Sequence, residues 1–353
     1  TRAAKEEKRE SISEFLPSVT ISGYVSEQNN TNPGNDTSFE PSEQSIVIEQ
    51  KIFQGFSGIA NLKKKKYGQD IANFKLKKVE QEVLLDAAKA HADLLLNTKK
   101  VNINLINIDL LESQVETDQN RLEKGEINLT DLAQSEASLS GAKAKLIAAQ
   151  NDLISSKANY GKIIGKKSPE NIKEIKEIKL NLPESLAAAK NISISDNPNL
   201  QISSLEFEQS KLDVIIAGAD ISPSATISYK VAEQDDFSST LKERTQKTVT
   251  ATATWPLFSG GSNIFNLRKN KELKNQKELL LEDSKKEIQT NTANAWSSYQ
   301  SSKSVLDSIR SQVKAAEIAN EGITLEYESG SSRTTLEVIQ SSTILLESRI
   351  NLA

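Results

Sequence analysis

The sequence predicts a mainly helical protein with a smaller β portion, built as two copies of one unit. Three observations carry that reading. Matching residues recur at a fixed spacing, each copy opens with two runs of alternating apolar and polar residues, and very long proline-free stretches follow with apolar residues every seven positions.

The duplication comes first, because it sets the frame for every element. Asn61-Leu62 returns as Asn266-Leu267, Phe53 and Gly55 as Phe258 and Gly260, and Glu123 and Gly125 as Glu328 and Gly330, all at an offset of 205. On either side the offset is 206: Pro17-Ser18 matches Pro223-Ser224, and Ser135, Leu139 and Leu146 match Ser341, Leu345 and Leu352. A spacing held over most of the chain means two structural copies, with a period too long for a solenoid. The expected division is a first copy over 1–165, a connector over 166–198 and a second copy over 199–353.

Strands are expected at about 18–27 and 43–54, and again at 223–232 and 247–258. Val19, Ile21, Gly23 and Val25 alternate with Thr20, Ser22, Tyr24 and Ser26, and Ile46, Ile48 and Ile52 share a face opposite Glu49 and Lys51. In copy two Ala225, Ile227, Tyr229 and Val231 alternate with polar residues, as do Val249, Ala251, Ala253, Trp255 and Leu257. Gln28 to Glu43 is rich in Asn, Pro, Gly, Ser and Thr and reads as a loop. Strands of about ten residues with one apolar face suit a soluble hairpin or a tilted membrane strand. Neither hairpin has a visible partner to close its edges.

Helices are expected at about 57–123, 130–164, 261–328 and 335–353. The first would run roughly 95–100 Å at 1.5 Å per residue. Leu96, Ile103 and Leu110 are spaced by seven, and Gly125 ends the run. Leu132, Leu139, Leu146, Leu153 and Tyr160 are spaced by seven, with the small residues Ser135, Ala142, Ala149 and Ser156 three further on. Large residues at one seam position and small ones at the other predict a close-packed coiled coil. Val338, Leu345 and Leu352 with Ser341 and Ser348 repeat the pattern. This spacing stops at the last residue, so the first helix of copy one and the end of copy two are expected to lie outside the chain. The connector carries Ile172, Ile175 and Ile178 and reads as a short helix or strand.

Composition narrows the function. The net charge is −4, which argues against a nucleic-acid partner, and the absence of cysteine removes thiol chemistry and cysteine metal sites. With His91 as the single histidine, no usual zinc ligand set exists, and His91 reads as a packing residue. No cofactor or catalytic constellation is found, so an enzyme is not expected. Lys63 to Lys66 read as a solvated helix start or a basic collar near a membrane, echoed by Arg268, Lys269 and Lys271.

Taken together, the chain resembles the outer-membrane efflux proteins, the TolC-like outer-membrane factors. The marks are Leu182-Pro183 followed by Asn197-Pro198-Asn199-Leu200, the Pro-Ser that opens odd strands, the Phe-x-Gly that closes even ones, and the turns ending in Gly125 and Gly330. The resemblance implies a homotrimer with four strands per subunit in one twelve-stranded barrel and helices in a long α-barrel. It implies an exit duct for efflux or type I secretion that crosses the outer membrane into the periplasm of a Gram-negative bacterium. The implied partners are outer-membrane lipid, a periplasmic adaptor and an inner-membrane transporter. Ile21, Val25, Ile46, Ile48, Ile227, Val231, Ala251 and Ala253 would face lipid. Thr130 and Asp131 match the acceptors of a closing link at the periplasmic tip, with Tyr327 and Arg333 as partners, Arg333 being one residue further from its glycine than the family pattern. Glu337 matches a pore carboxylate that repulsion would push to a higher pKa. The alternative is a periplasmic or cell-surface coiled-coil scaffold, with Thr130 and Asp131 acting as helix caps.

Overall fold

The computed structural model describes residues 1–32, 34–173, 181–238, 241–330 and 333–353. Ile175 and Ile178 of the connector pattern lie outside the described residues. The chain forms two compact units, one of residues 1–78 with 191–290 and one of 79–190 with 291–353. Each takes a part of both sequence copies.

Among the described residues the strands lie in the first unit: β1 (Ser18–Val25), β2 (Gln28–Asn32), β3 (Asn35–Phe39), β4 (Ser42–Gln54), β5 (Ser224–Ser238) and β6 (Leu241–Thr254). Four of them form an antiparallel sheet in the order β1-β4-β5-β6, so β1 and β6 are its edges. The expected loop after β1 is instead a ribbon, in which β2 pairs with β3 from Gln28↔Phe39 to Asn32↔Asn35. Backbone pairing needs no apolar face, so a polar segment between two strands of a hairpin can prolong it. For the same reason β5 and β6 extend beyond the expected ends at the hairpin they share, while Trp255 and Leu257 fall after β6.

Register puts the apolar positions on one face. Ile21, Ile46 and Val231 form one cross-strand row, and Ile227 pairs with Ala251. Val25, Ile48 and Ala253 share that face by two-residue alternation. A bulge at Ile52 shifts the register of β4 and brings Phe53 opposite Ala225. This apolar face is open: Ile21 is 77 % exposed and Val25 78 %. The opposite face is covered in part, around its polar cluster. Glu43, Ser45 and Ala232 are buried there. The Glu43 carboxylate accepts hydrogen bonds from Lys230 and, at 2.7 Å, from Gln234, and the Ser22 and Ser45 hydroxyls meet at 3.0 Å. The sheet is inside out compared with one that folds in water.

The helices are α1 (Arg2–Ile12), α2 (Ser57–Glu123), α3 (Leu129–Ile164), α4 (Leu186–Asp196), α5 (Pro198–Ala219), α6 (Ser262–Glu328) and α7 (Thr335–Leu352). At offset 206 helix α1 matches Glu208–Gly218, the C-terminal half of α5, so that half of the first helix of copy one lies within the chain, against the expectation that it lies outside. Asn197 caps α5 by accepting from the Asn199 N–H at 2.9 Å, with Pro198 in the first turn where its missing N–H costs nothing. Among the described residues no helix is long and apolar enough to cross a membrane.

In the second unit the small seam of α3 is buried at all four positions, Ser135, Ala142, Ala149 and Ser156. Ala142 joins Ile108 and Leu111 of α2, with Leu139 and Leu146 packed beside them. The seam of α2 differs from the row spaced at Leu96, Ile103 and Leu110, because Leu110 is 52 % exposed. The buried row is Asn104, Leu111 and Asp118, also seven apart. Two of its three members are polar, so apolar periodicity pointed to the neighbouring stripe.

Candidate functional site at the helical turns

Each long helix ends at a glycine with left-handed backbone, Gly125 at φ 75° and Gly330 at φ 77°. A side chain there would be strained whatever the space around it. The Gly125 N–H bonds the Leu122 carbonyl and the Glu126 N–H the Arg121 carbonyl, both at 2.9 Å, which closes α2 in a Schellman motif. The Gly330 N–H bonds the Tyr327 carbonyl at 3.2 Å.

The next helices open with matching capping boxes. The Asn128 side chain accepts from the Asp131 N–H at 3.0 Å, and the Asp131 carboxylate accepts from the Asn128 N–H at 3.3 Å. Thr334 and Glu337 do the same in copy two, at offset 206, with bonds of 3.3 and 2.8 Å. The cap of α3 is therefore Asn128, and Thr130 is an exposed residue of its first turn. The capping role expected of Asp131 is present, one turn inside the helix, where a carboxylate also suits the helix dipole.

Within the single chain Tyr327 is held by a different carboxylate. Among the described residues no hydrogen bond joins Thr130 or Asp131 to Tyr327 or Arg333. Tyr327 is 1 % exposed and Asp118 0 %. The Tyr327 hydroxyl donates to Asp118 Oδ1 at 2.5 Å and lies 3.0 Å from the Thr335 hydroxyl. Gln114 Nε2 donates to the same carboxylate at 2.9 Å, and the Ser135 hydroxyl donates to its other oxygen. The Arg121 guanidinium lies over the Tyr327 ring, 4.3 Å from its centroid, and donates to the Tyr327 carbonyl at 3.1 Å. One buried carboxylate thus takes donors from α2, α3 and α6, and α7 adds Thr335. Burial, and then the bond to Asp118, push the Tyr327 hydroxyl above its usual pKa, so it stays a donor at neutral pH.

Asp118 escaped the sequence reading because its match in copy two is Ile323, so the duplication gave no echo of it. Its signal was its place seven residues beyond Leu111 in a buried row. The Arg121, Thr335 and Glu326 contacts also went unread.

Arg333 stays within its own turn. It donates to Glu326 at 2.6 Å and to Glu337 at 3.0 Å, and these carboxylates, Glu326 first, raise its pKa further. Glu337 is held by donors of its own turn. The Thr334 N–H, and next Arg333, hold its carboxyl below the usual carboxylate value. His91 lies 3.3 Å from the Lys173 carbonyl through its Nε2. Among the described residues no group of His, Cys, Asp and Glu side chains could hold a metal ion.

An antiparallel sheet with its large apolar residues exposed, in a chain with long coiled-coil helices, is the pattern of an outer-membrane protein with a β portion and a helical portion. The sequence profile described as "Outer membrane efflux protein" matches residues 1–166 and 191–353, and the chain belongs to that family. It is 23% identical over 308 residues to the outer membrane efflux protein BepC of Brucella suis biovar 1 (strain 1330), covering 87% of this chain and 67% of that protein. Its fold is similar to the outer-membrane channel OprN, with a TM-score of 0.87 at 17% identity over 99% of this chain and 80% of that one. It is likewise similar to the outer membrane protein VceC of Vibrio cholerae, with a TM-score of 0.84 at 16% identity over 99% of this chain and 86% of that one. As a member of this family the protein is an outer-membrane efflux protein of a Gram-negative bacterium, and not an enzyme.

Proposed function

We propose that the chain forms a homotrimeric exit duct, a passive conduit for small molecules or, in a type I system, for secreted protein. A periplasmic adaptor and an inner-membrane transporter would supply the coupling and the energy. The observation that carries this reading is the sheet, with an exposed apolar face, a polar covered face and two open edges. Three sheets joined β1 to β6 would make twelve strands with no free edge. Ile21, Val25, Ile46, Ile48, Ile227, Val231, Ala251 and Ala253 then face lipid. The polar face around Glu43 and Lys230 lines the lumen.

The glycine turns are the periplasmic tip, and the Asp118 joint is its lock. While Tyr327 is bonded to Asp118, the helix pairs of the two copies are tied together near their turns. Thr130, Asp131, Arg333 and Glu337 sit at the surface of those turns, within reach of another subunit or of the adaptor. A competing donor or acceptor from a partner would shift the tip toward an open state.

The chain has no cysteine, so engineered cysteines are its sole thiols. Ile21→Cys paired in turn with Lys247→Cys, Val249→Cys or Ala251→Cys should give disulfide-linked trimers for at least one pairing, as bridging needs Cα atoms within about 7 Å. Monomers throughout would refute edge-to-edge closure. In planar bilayers, Asp118→Ala and the double variant Asp131→Ala with Arg333→Ala should conduct more than the parent, and Glu337→Ala should weaken cation selectivity. Parental conductance in both of the first two would leave these residues as caps and packing only.

A further inference from the structure

The start of each long helix in the first unit carries a stripe that the duct itself does not use. Ile59, Lys63 and Lys66 are spaced four and three apart, which keeps them on one face of α2, Phe56 stands just before the helix, and all four are exposed. At offset 205 copy two has Gly261, Ile264, Arg268 and Lys271, of which Ile264, Arg268 and Lys271 are exposed on α6. In both copies apolar residues lie next to the strand end and cations follow about one to two turns later.

Other features show that the exposure is built in. Phe56 has φ 68°, a left-handed backbone that a bulky residue rarely adopts. Copy two uses Gly261 at that place, with φ 83°. Despite this backbone Phe56 is 64 % exposed, with its ring edge-on to Phe53 at 5.4 Å. Strain of this kind persists where surrounding structure or function holds it. Trp255 follows the same logic. Its indole N–H is fixed to the Ile221 carbonyl at 3.1 Å while the residue stays 63 % exposed. Of the four lysines in a row, Lys64 is paired with Asp213 and Lys65, at 3.0 Å, with Glu7. Among the described residues, Lys63, Lys66, Arg268 and Lys271 form no ion pair. An exposed apolar band beyond the strand ends, followed by cations with no carboxylate partner, is complementary to a membrane interface whose headgroups carry anionic phosphates.

We infer that the stripes Phe56-Ile59-Lys63-Lys66 and Ile264-Arg268-Lys271 form a binding site for the headgroups of anionic phospholipid in the periplasmic leaflet. The aromatic and isoleucine side chains enter the acyl boundary, and the cations bind the phosphates just outside it. This rests on the reading of the sheet as membrane-spanning. In it the collar fixes how deep the duct sits in the membrane.

The test uses the purified full chain in detergent, with phosphatidylglycerol or phosphatidylcholine added and bound lipid counted by native mass spectrometry. The parent should retain phosphatidylglycerol in preference to phosphatidylcholine. Lys63→Gln with Lys66→Gln should weaken that retention at least tenfold, at about fivefold for each cation removed. Adding Arg268→Gln and Lys271→Gln should abolish the preference, while Lys64→Gln, which breaks an internal pair, should leave it intact. Phe56→Gly should keep the fold, as copy two has glycine there, and reduce retention of both lipids. Equal retention of the two lipids by parent trimers would overturn the inference and leave the duct reading standing. Displacement of phosphatidylglycerol by millimolar inorganic phosphate would overturn it too, by showing a site for free phosphate. A chain that stays monomeric without detergent and binds neither lipid would overturn the duct reading itself.

Discussion

The sheet and the α3 seam both bury small and polar residues, for opposite reasons. In the sheet, Ser45 and Ala232 are covered while Ile21 and Val25 stand open, because the large apolar groups are on the outer face. In the seam, Ser135, Ala142, Ala149 and Ser156 are covered because small side chains let two helices approach closely, with Leu139 and Leu146 packed against them. The sheet must therefore find its apolar partner outside the chain, whereas the seam finds it within. Burial alone does not tell the two apart; the fate of the large apolar residues does.

The comparison can be broken from either side. The largest effect should come from the seam at its most polar point. Asp118→Ala leaves the Ser135, Gln114 and Tyr327 donors with a lost acceptor in a buried site, at roughly 1–3 kcal/mol for each buried group left unpaired. We expect a loss of about 4 kcal/mol in total and a marked fall in the melting temperature. A fall of only a degree or two would mean that water enters the joint. In the sheet, Ile48→Arg puts a charge on the open face at a cost of about 2–4 kcal/mol in a membrane. Glu49→Arg, on the other face, should be tolerated, and trimer yield after folding into lipid measures both. Similar yields would remove the distinction between the faces. Ala149→Phe adds bulk where the helices touch, and overpacking of this kind costs roughly 1–3 kcal/mol. Unchanged thermal stability would place Ala149 outside the seam.

The smallest effect concerns pH. The Tyr327 pKa is raised above 10.0, first by burial. As pH rises the unfolded chain loses that proton before the folded one. The joint's contribution is therefore complete below about pH 10 and declines above it. Tyr327→Phe should cost about 1 kcal/mol at neutral pH and flatten this alkaline limb in denaturant melts. Retention of the full limb in the variant would assign it to another group. The opposite sign holds for Glu337, whose lowered pKa makes its contribution present above the usual carboxylate range and lost as pH falls through it.

Periodicity made most of the fold legible. Strand faces, the glycine stops and the α3 seam follow from alternation and seven-spacing, and the duplication fixed which elements correspond. What stayed hidden was polar or unduplicated. The β2–β3 ribbon has no apolar face, so it read as loop. The α2 seam passes through Asn104 and Asp118, so apolar spacing led to Leu110 on an open face. At the turns, Asp131, Tyr327 and Glu337 were visible as candidates, yet the Tyr327 partner was not. Asp131 was nearer in pattern, but its carboxylate is occupied by the Asn128 N–H, while Asp118 lies on another helix at a position where copy two has isoleucine.

On the proposed reading the sheet's open face is turned to lipid and its polar face to water. Single cysteines at Thr20, Ile21, Ile46, Val47, Ile48 and Glu49, each carrying a spin label in protein folded into vesicles, test it most directly. Relaxation by oxygen reports lipid contact, and relaxation by a water-soluble nickel chelate reports water. The account predicts strict alternation, with oxygen dominating at Ile21, Ile46 and Ile48 and nickel at Thr20, Val47 and Glu49. Nickel access that is equal along both strands would contradict it.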